Sequence, residues 1–224
     1  MDGNVENMPS KPKPKARDHL LEDPQINSVE KRIQTDQESL GFNGLTFTGL
    51  RISEFIHLRR SWLDTKKHLI KIPEWEPCNC KGCIYIRNNL RKKLEFEDTI
   101  KARHKQILAG NWLPKTSNSV RTIPIVQKAQ DVLYPYFDEH KLMLDEFPLR
   151  QYVNTMLTNL GKRSKVKLFP HALRGTFATM LAIKKFTAFE ITQTMGWADI
   201  NTAMFYIKLS GSALLDAFDA KWET

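Results

Sequence analysis

Apolar residues recur at spacings of three and four through most of the second half of the chain. Val126–His140, Phe147–Gly161, His171–Lys185, Ala188–Met195 and Asp199–Leu209 each carry that spacing and predict helices. Leu214, Leu215 and Phe218 predict a last short one. Upstream, Val29, Ile33 and Leu40 stand apolar among charged neighbours, which predicts a helix from about Asn27 to the Gly44–Gly49 region. Arg51–Leu58 predicts a short helix with Ile52, Phe55 and Ile56 facing inward. The pattern changes in the middle of the chain. Ser61–Leu63 and His68–Ile72 flank the polar turn Asp64–Lys67 and predict a hairpin, and Val120–Ile125 predicts a third strand. Between the second and third strands lies an insert, roughly Pro73 to Leu113, with a charged helical stretch at Asn88–Leu108. The expected fold class is α+β, mainly helical with a small three-stranded antiparallel sheet. No internal repeat is evident.

The start of the chain breaks this regularity. Pro9, Pro12, Pro14 and Pro24 interleave with Lys11, Lys13, Lys15 and Arg17, a composition that neither forms a helix nor buries a core. Residues 1–26 are therefore expected to form a basic flexible arm, and 27–224 a single domain carrying the cysteine-bearing insert at about 73–113. A 224-residue chain with 41% hydrophobic and 26% charged residues can bury a substantial core. No apolar run approaches the roughly 18 residues of a membrane span, and the polar, proline-rich start is not a secretory signal. A cytoplasmic location without membrane partners is expected.

Charge narrows the choice of partner. Thirty-four Lys and Arg against 25 Asp and Glu leave a net +9, which favours polyanions because basic side chains displace the counterions condensed around phosphates. The cysteines narrow it differently. The three, Cys78, Cys80 and Cys83, fall within one short stretch, unlike a secreted disulfide framework. Two readings stand. One is a structural zinc, whose fourth ligand would come from His104, His68, an acid such as Glu76, or a second molecule. The other is three reduced thiols in a loop.

Four separated segments carry candidate chemistry: Thr48-Gly-Leu-Arg51-Ile-Ser-Glu54; Pro114-Lys115-Thr116 ahead of Val120-Arg121-Thr122-Ile123-Pro124; His171-Ala-Leu-Arg174-Gly-Thr-Phe-Ala-Thr179; and Gly196-Trp197 with Tyr206 nine residues beyond the tryptophan. A phosphodiester opened without water or metal needs a protein nucleophile, which a tyrosine phenol supplies. Two guanidinium groups can each donate paired hydrogen bonds to the non-bridging oxygens as negative charge builds. Singly, each residue has an ordinary explanation: surface arginines, a core or capping histidine, a solvated lysine, aromatics on an apolar helix face. Their order and spacing together argue against coincidence.

Over about Val29 to Leu209 these segments resemble the tyrosine recombinases, the group of phage integrases and Xer-type resolvases. The resemblance implies the catalytic-domain fold of that family and site-specific cleavage and rejoining of double-stranded DNA through a 3′-phosphotyrosine. It implies Tyr206 as nucleophile, Arg51 and Arg174 on the phosphate, Lys115 as general acid to the departing 5′-oxygen, and His171 as proton acceptor or phosphate ligand. Trp197 stands where many relatives carry a second histidine; an indole N–H can donate one hydrogen bond but cannot transfer a proton. Glu54 is expected to orient Arg51 or a neighbour. No catalytic cofactor is implied. The resemblance further implies a homotetramer on DNA, with a monomer expected in its absence, and a mobile genetic element of archaeal or viral origin. Family members usually carry a helical core-binding domain ahead of this region, and residues before the Arg51 helix do not compose one. Two rivals remain: type IB topoisomerase-like nicking and resealing, and a DNA-binding module without activity.

Overall fold

The computed structural model describes residues 16–94, 100–139, 144, 147 and 149–211. The arm's residues 1–15 and the final helix expected around Leu214, Leu215 and Phe218 lie outside them.

The long helix expected from Asn27 to the Gly44–Gly49 region is two helices, α1 (Asp23–Glu30) and α2 (Asp36–Thr48). The break has a local cause. The Thr35 side chain accepts the Glu38 backbone N–H, and the Glu38 carboxylate accepts the Gln34 N–H at 2.9 Å, so a new helix starts at Thr35. Packing also begins earlier than Asn27. Leu21 and Ile26 are buried, and the Leu21 N–H donates to Thr176 Oγ1 at 2.9 Å. The latter part of the expected arm thus packs on the domain, because Leu21 and Ile26 join its hydrophobic core.

Helix α2 is the spine of the domain. Leu40, Phe42, Leu45 and Phe47 are buried along it, and α6 (Gln127–Glu139), α7 (Arg150–Ser164) and α8 (Pro170–Ile183) pack around it. The short α3 (Ile52–Phe55) follows and sinks Phe55 into the same core. The sheet has the expected three strands, β1 (Leu63–Asp64), β2 (Leu69–Ile72) and β5 (Arg121–Pro124), antiparallel in that order. Ile70 pairs with both Leu63 and Ile123, which places all three on the face turned to the core.

The insert between β2 and β5 is closed at its base by a second sheet, β3 (Glu76–Pro77) paired with β4 (Asn111–Trp112). Where one charged helical stretch was expected at Asn88–Leu108, α4 (Lys81–Leu94) begins at the cysteines and a separate α5 (Ala102–Leu108) follows. Beyond α8, α9 (Ala188–Met195) and α10 (Ile200–Ser210) enclose a smaller core of Phe177, Leu181, Ile191, Met195 and Ala203. Helix α8 contributes to both cores. Among the described residues, no helix is long and apolar enough to cross a membrane.

Three of the described helices end on a left-handed glycine, α2 at Gly49 (φ 62°), α9 at Gly196 (φ 60°) and α10 at Gly211 (φ 68°). At Gly49 the confinement is double, because a Cβ there would lie 2.5 Å from the Phe177 ring. Gly49→Ala is expected to cost about 2–4 kcal/mol, from left-handed strain plus displacement of that ring. Gly211→Ala, with φ 68° and open space around it, should cost only about 1 kcal/mol of strain. Urea denaturation of the two variants checks the difference; equal losses would show that the close packing contributes nothing.

Candidate active site

The glycine caps of α2 and α9 converge. A helix C-terminus leaves carbonyls without intrahelical partners and carries a partial negative charge. Here those carbonyls hold arginines. Arg174, on α8 and 5% exposed, donates through Nη1 to the Gly49 carbonyl and through Nη2 to the Met195 carbonyl. Arg51 caps the start of α3 and donates through Nη2 to the Gly196 carbonyl at 2.6 Å. Segments far apart in sequence are thereby fastened at one point.

A buried anion completes the arrangement. Glu54 is fully buried; its Oε1 accepts Arg51 Nη1 at 2.8 Å, and its Oε2 accepts the Arg51 backbone N–H at 2.9 Å. It also accepts a paired contact from Arg121, Nη1 to Oε1 at 3.1 Å and Nη2 to Oε2 at 3.0 Å. Arg121 donates its Nε–H to the Thr194 carbonyl at 2.8 Å. Burial alone would raise the Glu54 pKa, but the charge and hydrogen bonds of Arg121, the charge of Arg174 and the Arg51 N–H outweigh it and hold the carboxyl below its usual range. Sequence reasoning assigned Glu54 to Arg51 and missed Arg121. The signal was present: strand alternation sets Arg121 on the same face as the buried Ile123 and Ile125.

The remaining expected residues surround this cluster. The Trp197 ring stacks on Tyr206 with centroids 5.3 Å apart and planes inclined by 12°, and the Arg174 guanidinium carbon lies 5.8 Å from the Trp197 ring centre. The Tyr206 hydroxyl lies 3.1 Å from where a Cβ on Gly175, the residue after Arg174, would stand. His171 sits in the first turn of α8, behind Pro170. Its pKa is lowered, first by desolvation and then by the charges of Arg174, Arg150, Lys115 and Arg51. Lys115 is exposed on the loop between β4 and β5 and acts on His171 through that field. Contacts join Arg51, Arg174, Trp197 and Tyr206 in one neighbourhood, and His171 and Lys115 adjoin it electrostatically. It holds more cations than Glu54 neutralises: Arg174 is itself depressed by desolvation and by repulsion from Arg51 and Arg121. Arg51 and Arg174 keep N–H groups beyond those used internally, so a phosphate can be gripped without dismantling the scaffold.

The cysteines form a second cluster. Cys78, Cys80, Cys83 and His57 place one sulfur or nitrogen each within 4.8 Å of one another. The fourth member corrects the expected candidates. His68 stacks on Tyr134 and bonds its hydroxyl at 3.0 Å, Glu76 is taken by Arg59 at 3.3 Å and Trp62 at 3.2 Å, and His104 lies outside the group. His57 is remote from the cysteines in sequence and reaches them only because the insert folds back over the end of α3.

The phage integrase family model matches residues 24–212. Among solved structures, the XerA recombinase is 19% identical with a TM-score of 0.60, over 95% of this chain and 66% of that one. The Tn1549 transposon integrase in complex with transposon right end DNA is 20% identical with a TM-score of 0.62, over 94% and 67%. The XerH site-specific recombinase bound to a palindromic difH substrate, a post-cleavage complex, is 15% identical with a TM-score of 0.57, over 92% and 54%. The chain therefore spans 54–67% of the length of these proteins, and the likeness establishes the fold. No curated protein matches the chain.

Glu54→Gln removes the central anion and leaves the buried Arg121 guanidinium and the partly exposed Arg51 poorly matched. A loss of about 3–5 kcal/mol at pH 7 is expected from denaturant unfolding. The carboxyl is depressed in the folded state, so its contribution is present above the unfolded pKa and is lost as pH falls through the folded one. The gap between wild type and variant should accordingly close in acid; a gap independent of pH contradicts the assignment.

Proposed function

Because the chain belongs to the phage integrase family, we propose that it opens and rejoins strands of double-stranded DNA through a covalent link to Tyr206. One observation carries this reading. Arg51 and Arg174 are fastened to adjacent carbonyls, Gly196 and Met195, and the Tyr206 ring stacks on Trp197 beside them. A phosphate lying against the two guanidinium groups comes within reach of a phenol without a large rearrangement.

In this reading the Tyr206 oxygen attacks phosphorus and the O5′ bond breaks, giving a 3′-phosphotyrosine and a free 5′-hydroxyl. Arg51 and Arg174 stabilise the charge on the non-bridging oxygens, an effect worth roughly 3–4 kcal/mol per donor. His171, whose pKa is lowered first by burial and then by its cationic neighbours, accepts the phenolic proton, and Lys115 protonates the departing oxygen. Trp197 offers an indole N–H and holds Tyr206 in place. The phosphotyrosine keeps the energy of the phosphodiester, so the hydroxyl of a partner strand reverses the attack and exchange needs no ATP. The reaction needs no cofactor. A structural Zn²⁺ held by Cys78, Cys80 and Cys83 belongs to the scaffold. The assembly on DNA is a homotetramer of a mobile-element integrase, and the net charge of +9 and the DNA-bound relatives support duplex DNA as partner.

A nicked suicide duplex tests the reading. Wild type should yield an adduct on a denaturing gel, Tyr206→Phe none, and Arg174→Lys an adduct formed about 100-fold more slowly. An adduct that survives Tyr206→Phe refutes the nucleophile. Joining between two duplexes, rather than plasmid relaxation alone, separates recombination from topoisomerase-like resealing, and a protein that binds DNA without any adduct is a binding module.

The pH profile gives a second measurement. His171 must be neutral to take a proton, and its pKa lies below the ordinary imidazole value of about 6.5. Adduct formation should hold down to that pH and fall only below it. His171→Gln should be slow and should lack this acid limb.

A further inference from the structure

The insert lacks the usual means of staying folded. Helix α4 buries only Cys83 and α5 buries nothing, while Ile84, Tyr85 and Ile86 are exposed. Its base sheet pairs two residues with two. So small a unit needs a cross-link, and the His57–cysteine cluster stands where one would act.

The chemistry of His57 identifies the cross-link. Its Nδ1 lies 2.6 Å from the Ser53 carbonyl. A carbonyl only accepts, so Nδ1 carries the proton and, in the neutral ring, Nε2 presents a lone pair. That lone pair faces Cys83 Sγ at 3.2 Å and Cys80 Sγ at 3.4 Å. A tetrahedral Zn²⁺, with Zn–S near 2.3 Å and Zn–N near 2.0 Å, sets its N and S ligands about 3.5 Å apart. The Nδ1–H to carbonyl bond is also the contact that orients a metal-bound histidine. All three cysteines are free of disulfides.

The cluster is wired to the active site on both sides. Ser53, which holds His57, belongs to α3, the helix that begins at Arg51 and carries Glu54. On the other side, the His57 ring stacks on Trp112 at 5.2 Å, and Trp112 stands three residues before Lys115. Arg103, from α5 of the insert, donates to the Pro114 carbonyl at 2.7 Å, the residue directly before Lys115.

We propose that His57 is the fourth ligand of a Cys₃His zinc site, and that this ion clamps the insert between α3 and the Lys115 loop, so that strand cleavage depends on it although it takes no part in the chemistry. His57 is in this sense a positioning residue. The coupling rests on the cleavage reading above, whereas the ligand assignment stands apart from it.

The test uses the full chain, purified with Zn²⁺ under reducing conditions. Wild type should hold one zinc per chain by elemental analysis, and Co²⁺ exchanged into the site should give the visible bands of a tetrahedral, thiolate-rich centre. His57→Ala should weaken zinc binding by more than the 10–100-fold typical of an outer-shell change. His57→Cys, which restores four ligands, should retain the ion. A chain without zinc, or a His57→Ala variant that binds as tightly as wild type, overturns the site.

Coupling has two readouts. Removing zinc with a chelator should slow cleavage of saturating suicide duplex at least tenfold, with recovery on readdition of Zn²⁺ and rescue in His57→Cys. Hydrogen exchange should rise in 52–57 and 112–119 when zinc leaves. Zinc loss that changes neither overturns the clamp. If even the zinc-loaded protein gives no adduct, the cleavage reading fails, and the exchange data alone decide whether the ion braces these segments.

Discussion

Three guanidinium groups cannot be packed together under a protein surface unless something answers their charge, and the site is organised around that problem. Two like charges 4 Å apart repel by about 4 kcal/mol at an effective dielectric of 20. Glu54 answers for Arg51 and Arg121 directly, and its field reaches Arg174. The second answer is the backbone. The carbonyls of Gly49, Met195 and Gly196 lie at the ends of α2 and α9, where the helix dipole is negative and the intrahelical partners run out. A left-handed glycine at each end turns the chain away and leaves those carbonyls accessible. The scaffold neutralises the arginines enough to fold but not fully, and a positive field remains at the site.

This division of labour explains why the arginines differ. Arg121 spends its hydrogen bonds on Glu54, Thr194 and Ser119 and belongs to the support. Arg51 is partly exposed and Arg174 is nearly enclosed, yet each is anchored through only two of its donors in the contacts described above. Replacing either by lysine would keep the charge and lose the fork that bonds two scaffold groups and still has N–H donors to offer an anion.

Much of this was legible in the sequence because it is local. The helices from α6 to α10 follow from apolar spacing, and the sheet from short alternating runs. The six candidate residues stand in segments whose order is itself a signature. What escaped depends on contacts distant in sequence or on competing local signals. Thr35 and Glu38 carry a capping pattern strong enough to interrupt a helix, yet the apolar spacing runs across the break from Val29 to Leu40. Arg121 reads as a solvent-facing strand residue until its alternation with Ile123 and Ile125 is followed inward. Ligand candidates for the cysteines included residues near the insert in sequence, whereas His57 comes from the turn after α3. No periodicity reports that closeness, because it is set by how the insert folds back.

The insert poses the opposite problem from the core. Strands β2 and β5 must lie side by side, with Ile70 against Ile123, although the insert intervenes between them. An insertion with its own hydrophobic core could hang from that junction without disturbing it, but the two helices described in this one bury only Cys83. The junction is closed instead by Trp62, Trp112 and His57 stacked at about 5 Å spacings and by Glu76 held between Arg59 and Trp62. Those residues lie between the helix that positions Arg51 and the loop that carries Lys115. Whatever keeps that stack in register therefore also fixes the separation between Arg51 and Lys115. A scaffold can leave such a distance to weak packing only where errors near 1 Å are tolerated, and groups that must act together on one reacting centre do not tolerate them.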